Sequence, residues 1–272
     1  MLKVCTLASG SSGNCTYISD GITHLMIDAG ISARSITNGL ASIGVTPGDI
    51  SGILITHEHS DHIRGLEVLE KKWDIPIFAA HEGTFDALRA IYPALEGRIM
   101  RFDTDVEFAI GDIKILPFKT PHDTEHSVGF RIDGGGSSVV YATDLGHVPQ
   151  RLNELLKGTQ MVVLEANYDE ASLARGPYPA MLKRRIASEC GHLSNSECAK
   201  CAVYAAQCGV KCLVLGHLSR ENNTPRLAYD TVHRCLTDAG IIPGVDVMLQ
   251  VAPRSEPGHV YQLDGECLKC GK

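Results

Sequence analysis

The sequence predicts an α/β protein in which two β-sheets are layered between helices. The first 145 residues are dominated by short apolar runs of strand length, with helical periodicity between some of them. The second half alternates further strands with longer helical segments. The predicted strands of the first half are Leu2–Ala8, Thr16–Ile18, His24–Ile27, Gly52–Ile55, Ile75–Ala79, Ile113–Phe118, Ser127–Ile132 and Ser138–Ala142.

Helices are predicted where apolar residues recur with a period near 3.6. Ser194-x-x-Glu197 is a capping box, which fixes the start of one helix. The sequence has no Pro-, Gly- or Ser-rich linker, so we expect a single domain over residues 1–272 with a flexible tail from about residue 264. The predicted helices are Ser32–Ile43, Ile63–Trp73, Gly83–Ile91, Ala180–Cys190, Asn195–Cys208 and Pro225–Ala239, and the later strands are Met161–Leu164, Cys212–Leu215, Val247–Val251 and Val260–Leu263.

The composition is that of an ordinary globular protein, with 44% apolar and 21% charged residues. No apolar run approaches the roughly 18 residues that span a bilayer, and no signal-peptide pattern opens the chain, so we expect a cytoplasmic protein. Its ten cysteines should then stay reduced, and the pair Cys267 and Cys270 is at most half a zinc site. The net charge of −7 argues against strongly electrostatic binding of nucleic acid, although it allows a local basic patch.

The densest group of metal-binding residue types is His57-x-His59-x-Asp61-His62, directly after the buried-strand pattern Ile53–Thr56. In an extended segment residues i and i+2 point to the same side, so His57 and His59 can bind one ion together. Asp61 and His62, at the turn into the next helix, can face a second ion. Imidazole and carboxylate suit Zn, Mn and Fe. A solvated polar turn is the alternative, which this density of ligands disfavours.

Four further residues lie at the ends of predicted apolar strands: Asp28, His122, Asp144 and His217. Any one of them alone is more often an ordinary turn residue. Four His and Asp residues at four strand ends indicate ligands instead, because ligands collect beyond the carboxyl ends of strands in α/β proteins.

The order of these residues resembles the five motifs of the metallo-β-lactamase fold, over almost the whole chain. The resemblance implies an αββα sandwich of two sheets flanked by helices, with two divalent ions per chain, either Zn or Mn with Fe as a third option. It also implies the following roles: a first ion held by His57, His59 and His122, a second held by Asp61, His62 and His217, a bridge between them at Asp144, and orientation of the cluster by Asp28 from behind the ligands.

The second half resembles the tRNase Z type of phosphodiesterase in the order of three segments, Leu164–Tyr168, Gly191–Ser194 and Gly216–Arg220. This resemblance implies that Glu165 and His192 form a carboxylate–imidazole pair near the metals and act with Asp61 in catalysis. Such a pair can protonate the leaving alkoxide of a phosphodiester. On residue chemistry alone, a strand-ending Glu and a loop-capping His fit equally well. Asn167 departs from that family's pattern, which has Thr.

The combined features are most similar to a smaller subfamily, the YycJ-like (WalJ) metallo-hydrolases. The segments that carry this resemblance are Leu7–Asn14, Thr56–His62, Gly191–Asn195 and His217–Asn223. It implies a metal-dependent nuclease, a 5′-to-3′ exonuclease on DNA or on another phosphodiester substrate, with a metal-bound hydroxide as nucleophile and no membrane partner.

Candidate phosphate contacts are found in two places. One is the small, hydroxyl-rich loop with Ser11, Ser12 and Asn14, which is equally well explained as a turn between two strands. The other is Arg220, which forms a candidate basic patch with Arg226 and the run Lys183-Arg184-Arg185.

Two other classes stay open at this stage. One is a small-molecule hydrolase, such as a lactonase, a thioesterase or a glyoxalase II-like enzyme, because a two-metal centre can activate water against several kinds of bond. The other is a non-catalytic binding protein that a metal stabilises.

Overall fold

The computed structural model describes residues 1–80, 83–265 and 267–271. It confirms the predicted class, with two β-sheets flanked by helices. The strands are β1 Leu2–Ala8, β2 Cys15–Ser19, β3 His24–Ile27, β4 Gly52–Leu54, β5 Ile77–Ala80, β6 Ile99–Phe102, β7 Phe108–Ile110, β8 Ile113–Lys119, β9 Val128–Gly134, β10 Ser137–Ala142, β11 Met161–Glu165, β12 Cys212–Gly216, β13 Met248–Val251, β14 Val260–Asp264 and β15 Cys267–Gly271. The helices are α1 Ala33–Ser42, α2 Ser60–Ile63, α3 Leu66–Trp73, α4 Thr84–Ile91, α5 Gln150–Leu155, α6 Glu170–Arg175, α7 Ala180–Ile186, α8 Asn195–Gln207 and α9 Pro225–Asp238.

Each half of the chain builds most of one sheet. The first sheet has the order β15-β14-β1-β2-β3-β4-β5-β6, and the second has the order β13-β12-β11-β10-β9-β8-β7. Strands β3 to β6 run parallel to one another, as do β10 to β13. The carboxyl ends of parallel neighbours meet at one edge of a sheet, and these edges carry the residues of the candidate site.

The apolar core has three layers, and strand alternation explains them. In β11, Met161 and Val163 pack between the two sheets, whereas Val162 and Leu164 pack under the outer helices. Successive side chains of a strand point to opposite faces, so a strand covered on both sides is apolar throughout. Full burial of one such aliphatic side chain contributes about 1.5–3 kcal/mol.

Two predicted helices differ from the structure. The predicted helix Ile63–Trp73 is divided into α2 and α3 at Gly65, whose backbone N–H donates to the carbonyl of Ala29. A Cβ at position 65 would lie 2.6 Å from the carbonyl oxygen of Ile31, so the chain needs glycine there. The predicted helix Ala180–Cys190 ends at Ile186, which leaves residues 187–191 for a turn beside the candidate site.

The segment from about residue 264, which the sequence predicts to be a flexible tail, includes a strand that was not predicted. Strand β15 pairs antiparallel with β14, with Leu268 opposite Leu263, and Leu268 packs against the core between the sheets. The sequence of this segment shows no strand pattern, because its pairing depends on the edge that β14 offers and not on its own composition. Strands β6 and β7 and helices α5 and α6 were not predicted either, because each is short.

None of the described helices combines the length and apolarity that crossing a bilayer requires. The nine cysteines whose side chains are described are free. Cys198 and Cys201 are buried under the second sheet as part of its apolar cluster, so they act as small core residues. The side chain of Cys267 lies outside the described part of the chain.

Candidate metal centre and catalytic site

Three predicted site residues turn the backbone sharply where a strand ends. Asp28 follows β3 with φ 61°, Asp144 follows β10 with φ 59°, and His217 follows β12 with φ 55°. Residues other than glycine rarely adopt this left-handed conformation, which is strained by of order 1–3 kcal/mol. Hydrogen bonds hold the turn at His217: its N–H donates to Ser9 Oγ at 2.9 Å, and Asn167 Nδ2 donates to its carbonyl at 2.8 Å.

The segment His57–His62 leaves β4 in an extended conformation and enters α2 at its end. His59 is the residue before the first turn of α2, which places Asp61 and His62 inside that turn. The carbonyl of Asp61 accepts a hydrogen bond from Asn14 N at 2.8 Å. A Cβ on Gly30 would lie only 1.6 Å from the Asp61 carbonyl oxygen, so glycine is required for this close approach.

The structure brings together the three residues predicted for a first ion. His57, His59 and His122 each offer one nitrogen that could bind a metal ion, and these three nitrogens lie within 4.8 Å of one another. His59 faces the group with Nδ1, which is 3.4 Å from His122 Nε2.

The residues predicted for a second ion also form a group. The atoms of Asp61, His62 and His217 that could bind a metal ion lie within 4.8 Å of one another. Asp61 Oδ2 is 3.6 Å from Nε2 of each histidine. Asp144 lies between the two groups, with Oδ1 3.5 Å from His122 Nε2 and Oδ2 3.4 Å from His62 Nε2. Its position is the one predicted for a bridging carboxylate.

Hydrogen bonds fix which ring nitrogen of the buried histidines faces the group. His62 Nδ1 is 2.7 Å from Asp28 Oδ2, and His122 Nδ1 is 3.0 Å from the carbonyl of Gly191. Both partners are acceptors, so Nδ1 of each ring carries a proton, and Nε2 is the nitrogen that faces the cluster. His62 Nε2 thus lies opposite the Asp144 carboxylate, where a metal ion can take the place of a second ring proton.

Buried polar atoms support the same conclusion. Among the described residues, no hydrogen-bond partner reaches His57 Nε2, His217 Nε2 or Asp144 Oδ2. Burial, together with nearby His62, lowers the pKa of His57 well below its usual value, so the ring is neutral and able to bind a metal. Burial opposes the charge of Asp144, but His217 and other imidazoles hold the pKa of that carboxyl well below its usual range. The cluster therefore fits divalent metal ions.

Glu165 connects the metal cluster to His192. Its Oε1 accepts from His192 Nδ1 at 2.9 Å and from His217 Nδ1 at 2.7 Å. Its Oε2 accepts from the backbone N–H groups of Leu145 at 2.7 Å and Leu193 at 3.2 Å. Burial opposes the charge of His192, but the Glu165 carboxylate raises the pKa of that imidazole above its usual value. The carboxylate–imidazole pair implied by resemblance is thus present, and the same carboxylate also orients His217.

The predicted phosphate contacts are only partly brought to the site. A cavity of about 300 Å³ opens over the cluster, and among the described residues its lining includes Ser11 but not Ser12 or Arg220, which are exposed. Asn14 is fully buried, and its side chain accepts from Gly10 N at 3.0 Å and reaches His62 Nε2 at 3.1 Å. Asn14 therefore holds the loop in place, and the prediction that it contacts phosphate is wrong because its amide is already used.

The predicted basic patch is dispersed. Arg185 lines the cavity and pairs with Asp123. Lys183 Nζ instead donates to the carbonyl of Ala174 at 2.8 Å, and Arg226 pairs with Asp230 at 3.3 Å on the surface.

Sequence reasoning missed several residues of the site. Thr56 links Asp28 to the cluster, because its hydroxyl donates to the Asp28 carboxylate and lies 3.0 Å from His57 Nδ1. Tyr178 and Leu182 line the cavity from the segment that includes α7. The position of Thr56 directly before the histidines was a usable signal, whereas no motif marks Tyr178 or Leu182.

Comparisons with known proteins agree with this geometry. The family described as a β-lactamase superfamily domain matches residues 23–218. The exodeoxyribonuclease WalJ of Streptococcus pneumoniae is 37% identical over 247 residues, covering 90% of this chain and 91% of the relative. The exodeoxyribonuclease YycJ of Bacillus anthracis is 34% identical, with 88% and 90% covered.

Among solved structures, the metallo-β-lactamase fold protein YhfI of Bacillus subtilis superimposes with a TM-score of 0.69 at 16% identity, covering 95% of this chain and 99% of that one. At this identity the likeness shows the fold alone. The chain therefore belongs to the metallo-β-lactamase superfamily, as a metal-dependent hydrolase of the family that includes WalJ and YycJ.

Proposed function

We propose that this protein is a dinuclear metal-dependent nuclease that degrades DNA from an end in the 5′-to-3′ direction. The observation that carries the proposal is Glu165, which holds His192 beside the cluster while it orients His217. A hydrolase of phosphodiesters needs such a proton donor, because its leaving group is an alkoxide. The relatives named exodeoxyribonucleases support DNA as the substrate.

The metal ions would be held by the two groups that share Asp144. One consists of His57, His59 and His122, and the other of Asp61, His62 and His217. Bound Zn or Mn ions, or Fe, would supply a Lewis acid that activates water and neutralises charge on the phosphate.

His192 has the geometry of a general acid. Its Nδ1 donates to Glu165, so Nε2 is the nitrogen left to carry the transferable proton. About 23% of its side chain is exposed, and it lines the cavity, so a substrate oxygen can reach it. Glu165, by contrast, is fully buried and acts only through the two histidines.

Two other side chains complete the proposed chemistry. The carboxylate of Asp61 is 21% exposed at the floor of the cavity, where it can accept a hydrogen bond from the attacking water and fix its direction. Arg185 also lines the cavity, and its guanidinium can bind a non-bridging phosphate oxygen.

The test uses single- and double-stranded DNA labelled at either end, with metal content measured on the same preparations. We expect labelled mononucleotide to appear first from the 5′-labelled strand when Mn or Zn is supplied. The variant His192→Ala should keep its metal and lose activity by roughly 10²- to 10⁴-fold. The variant His233→Ala, on helix α9, is the matched control and should behave as wild type.

Several outcomes would contradict the proposal. Full activity of His192→Ala would remove the proposed acid. Release from the 3′-labelled strand first would reverse the direction. Turnover of thioesters or lactones, with no cleavage of any DNA, would favour a small-molecule hydrolase on the same metal centre.

A further inference from the structure

One wall of the cavity is apolar, although the floor consists of His and Asp side chains. Tyr178, Leu182 and Ile186 form this wall, which we call the α7 wall. All three are half-buried, and Arg185 lies at the same wall. Metal chemistry on a phosphate needs no apolar surface, so the proposed function leaves the α7 wall without a role.

Helix geometry explains why two of these residues share a face. Leu182 and Ile186 are four residues apart, so they lie one above the other on α7. Tyr178 lies before the helix begins at Ala180, and it lines the same cavity from the preceding bend. None of the residues of α7, all of which are described, is buried. Met181 points away, with 78% of its surface exposed. The apolar face of α7 is therefore turned to the cavity and not into the core.

The α7 wall is fixed relative to the reacting groups. The backbone N–H of His192 donates to the carbonyl of Ile186 at 2.9 Å, and the carbonyl of Gly191 accepts from His122 Nδ1 at 3.0 Å. A Cβ at Gly191 would lie 2.2 Å from the Ile186 carbonyl oxygen, so the turn after α7 must pack this closely. A group bound on the wall is thus held at a set distance from the proposed acid and from a metal ligand.

We propose that the α7 wall is the subsite for the base of the terminal nucleotide, with that base stacked on the ring of Tyr178 and packed against Leu182 and Ile186. The inference rests on the proposed nuclease function and adds the part of the substrate that the site recognises. Base–aromatic stacking tolerates any sequence, because every base has a π-face. A volume of about 300 Å³ is at the lower end of ligand pockets, so the cavity receives one unpaired nucleotide and not a duplex end.

The test compares two single-stranded oligonucleotides of the same length. One carries an abasic residue at the end that is degraded first, and the other carries it four positions inside. Wild-type protein should cleave the terminally abasic strand with a kcat/KM lower by roughly 5- to 140-fold, the range expected for one stacked base. Tyr178→Ala should cleave the two strands with equal kcat/KM. Tyr178→Phe keeps the ring, so it should retain the ratio between the two strands even if its kcat/KM for both is changed.

Met181→Ala is the matched control, since it truncates an exposed side chain of the same helix on the face away from the cavity. It should discriminate between the two strands as wild type does. If Tyr178→Ala slows both strands equally and still discriminates between them, the base subsite is refuted while the nuclease function stands. If wild-type protein discriminates between them in no measurable way, the subsite is again refuted. If it cleaves no DNA at all, both proposals fall.

Discussion

Replacing Glu165 by Gln tests the structural basis of the site, because the change conserves shape and removes acceptors. The buried carboxylate accepts four hydrogen bonds, two at each oxygen. A Gln side chain has one carbonyl oxygen, which can accept two of these hydrogen bonds. Its NH2 group is itself a donor, so it cannot accept from the two N–H groups on the other side. Whichever way the Gln side chain is placed, two of the four hydrogen bonds are lost.

The magnitude follows from those two bonds. A hydrogen bond to a charged group contributes about 1.5–3 kcal/mol, so Glu165→Gln should lower the free energy of unfolding by about 3–6 kcal/mol. Orientation of His217 is lost as well, and removal of such a supporting partner weakens metal affinity by roughly 10- to 100-fold. Activity should fall further, because His192 loses its partner.

Urea unfolding, measured with chelator and with added metal, gives the free energy, and metal content gives the affinity. Glu154→Gln is the control, since Glu154 is half-exposed and, among the described residues, its side chain pairs with Gln150 and Arg151 at the surface. It should change stability by less than about 0.5 kcal/mol. A Glu165→Gln variant within about 1 kcal/mol of wild type, with unaltered metal affinity, would refute the assignment of Glu165 as the carboxylate that joins the two histidines.

Three further changes have distinct expected outcomes. Asp28→Ala leaves His62 without its buried partner and should destabilise the protein by about 3–5 kcal/mol in urea unfolding; a smaller loss than about 1 kcal/mol would contradict the pairing. Gly30→Ala should displace Asp61 and abolish metal binding measured by elemental analysis, whereas Gly97→Ala, which meets open space, should bind metal normally. Chelation should lower the melting temperature, and added Mn or Zn should restore it. At a metal concentration 100 times the Kd, binding should raise the free energy of unfolding by about 2.7 kcal/mol. An unchanged melting temperature after chelation would argue against bound ions.

The sequence was most informative where a site residue is fixed by local backbone geometry. The spacing of His57 and His59 after a strand determines that both face one side, and the ends of parallel strands determine where Asp144 and His217 meet. These positions were therefore predictable before any tertiary contact was known. Glu165 and His192 required a family resemblance, since a carboxylate that ends a strand has no local mark of its partner.

Long-range contacts explain what the sequence did not predict. Asn14 lies in a loop rich in small polar residues, which is typical of phosphate contacts, but its amide is used by groups far along the chain, at His62 among others. Tyr178 and Leu182 face the cavity only because the turn after α7 folds back against the site. Such side-chain directions depend on tertiary packing, which no window of sequence contains.

The left-handed turns at Asp28, Asp144 and His217 place strained backbone directly beside the buried cluster. Glycine at Asp28 would relieve strain of order 1–3 kcal/mol, but it would also remove the carboxylate that pairs with His62, and breaking a buried pair costs about 3–5 kcal/mol. The exchange should therefore lower stability even when chelator is present. The backbone at this turn cannot relax without loss of the cluster that the turn supports.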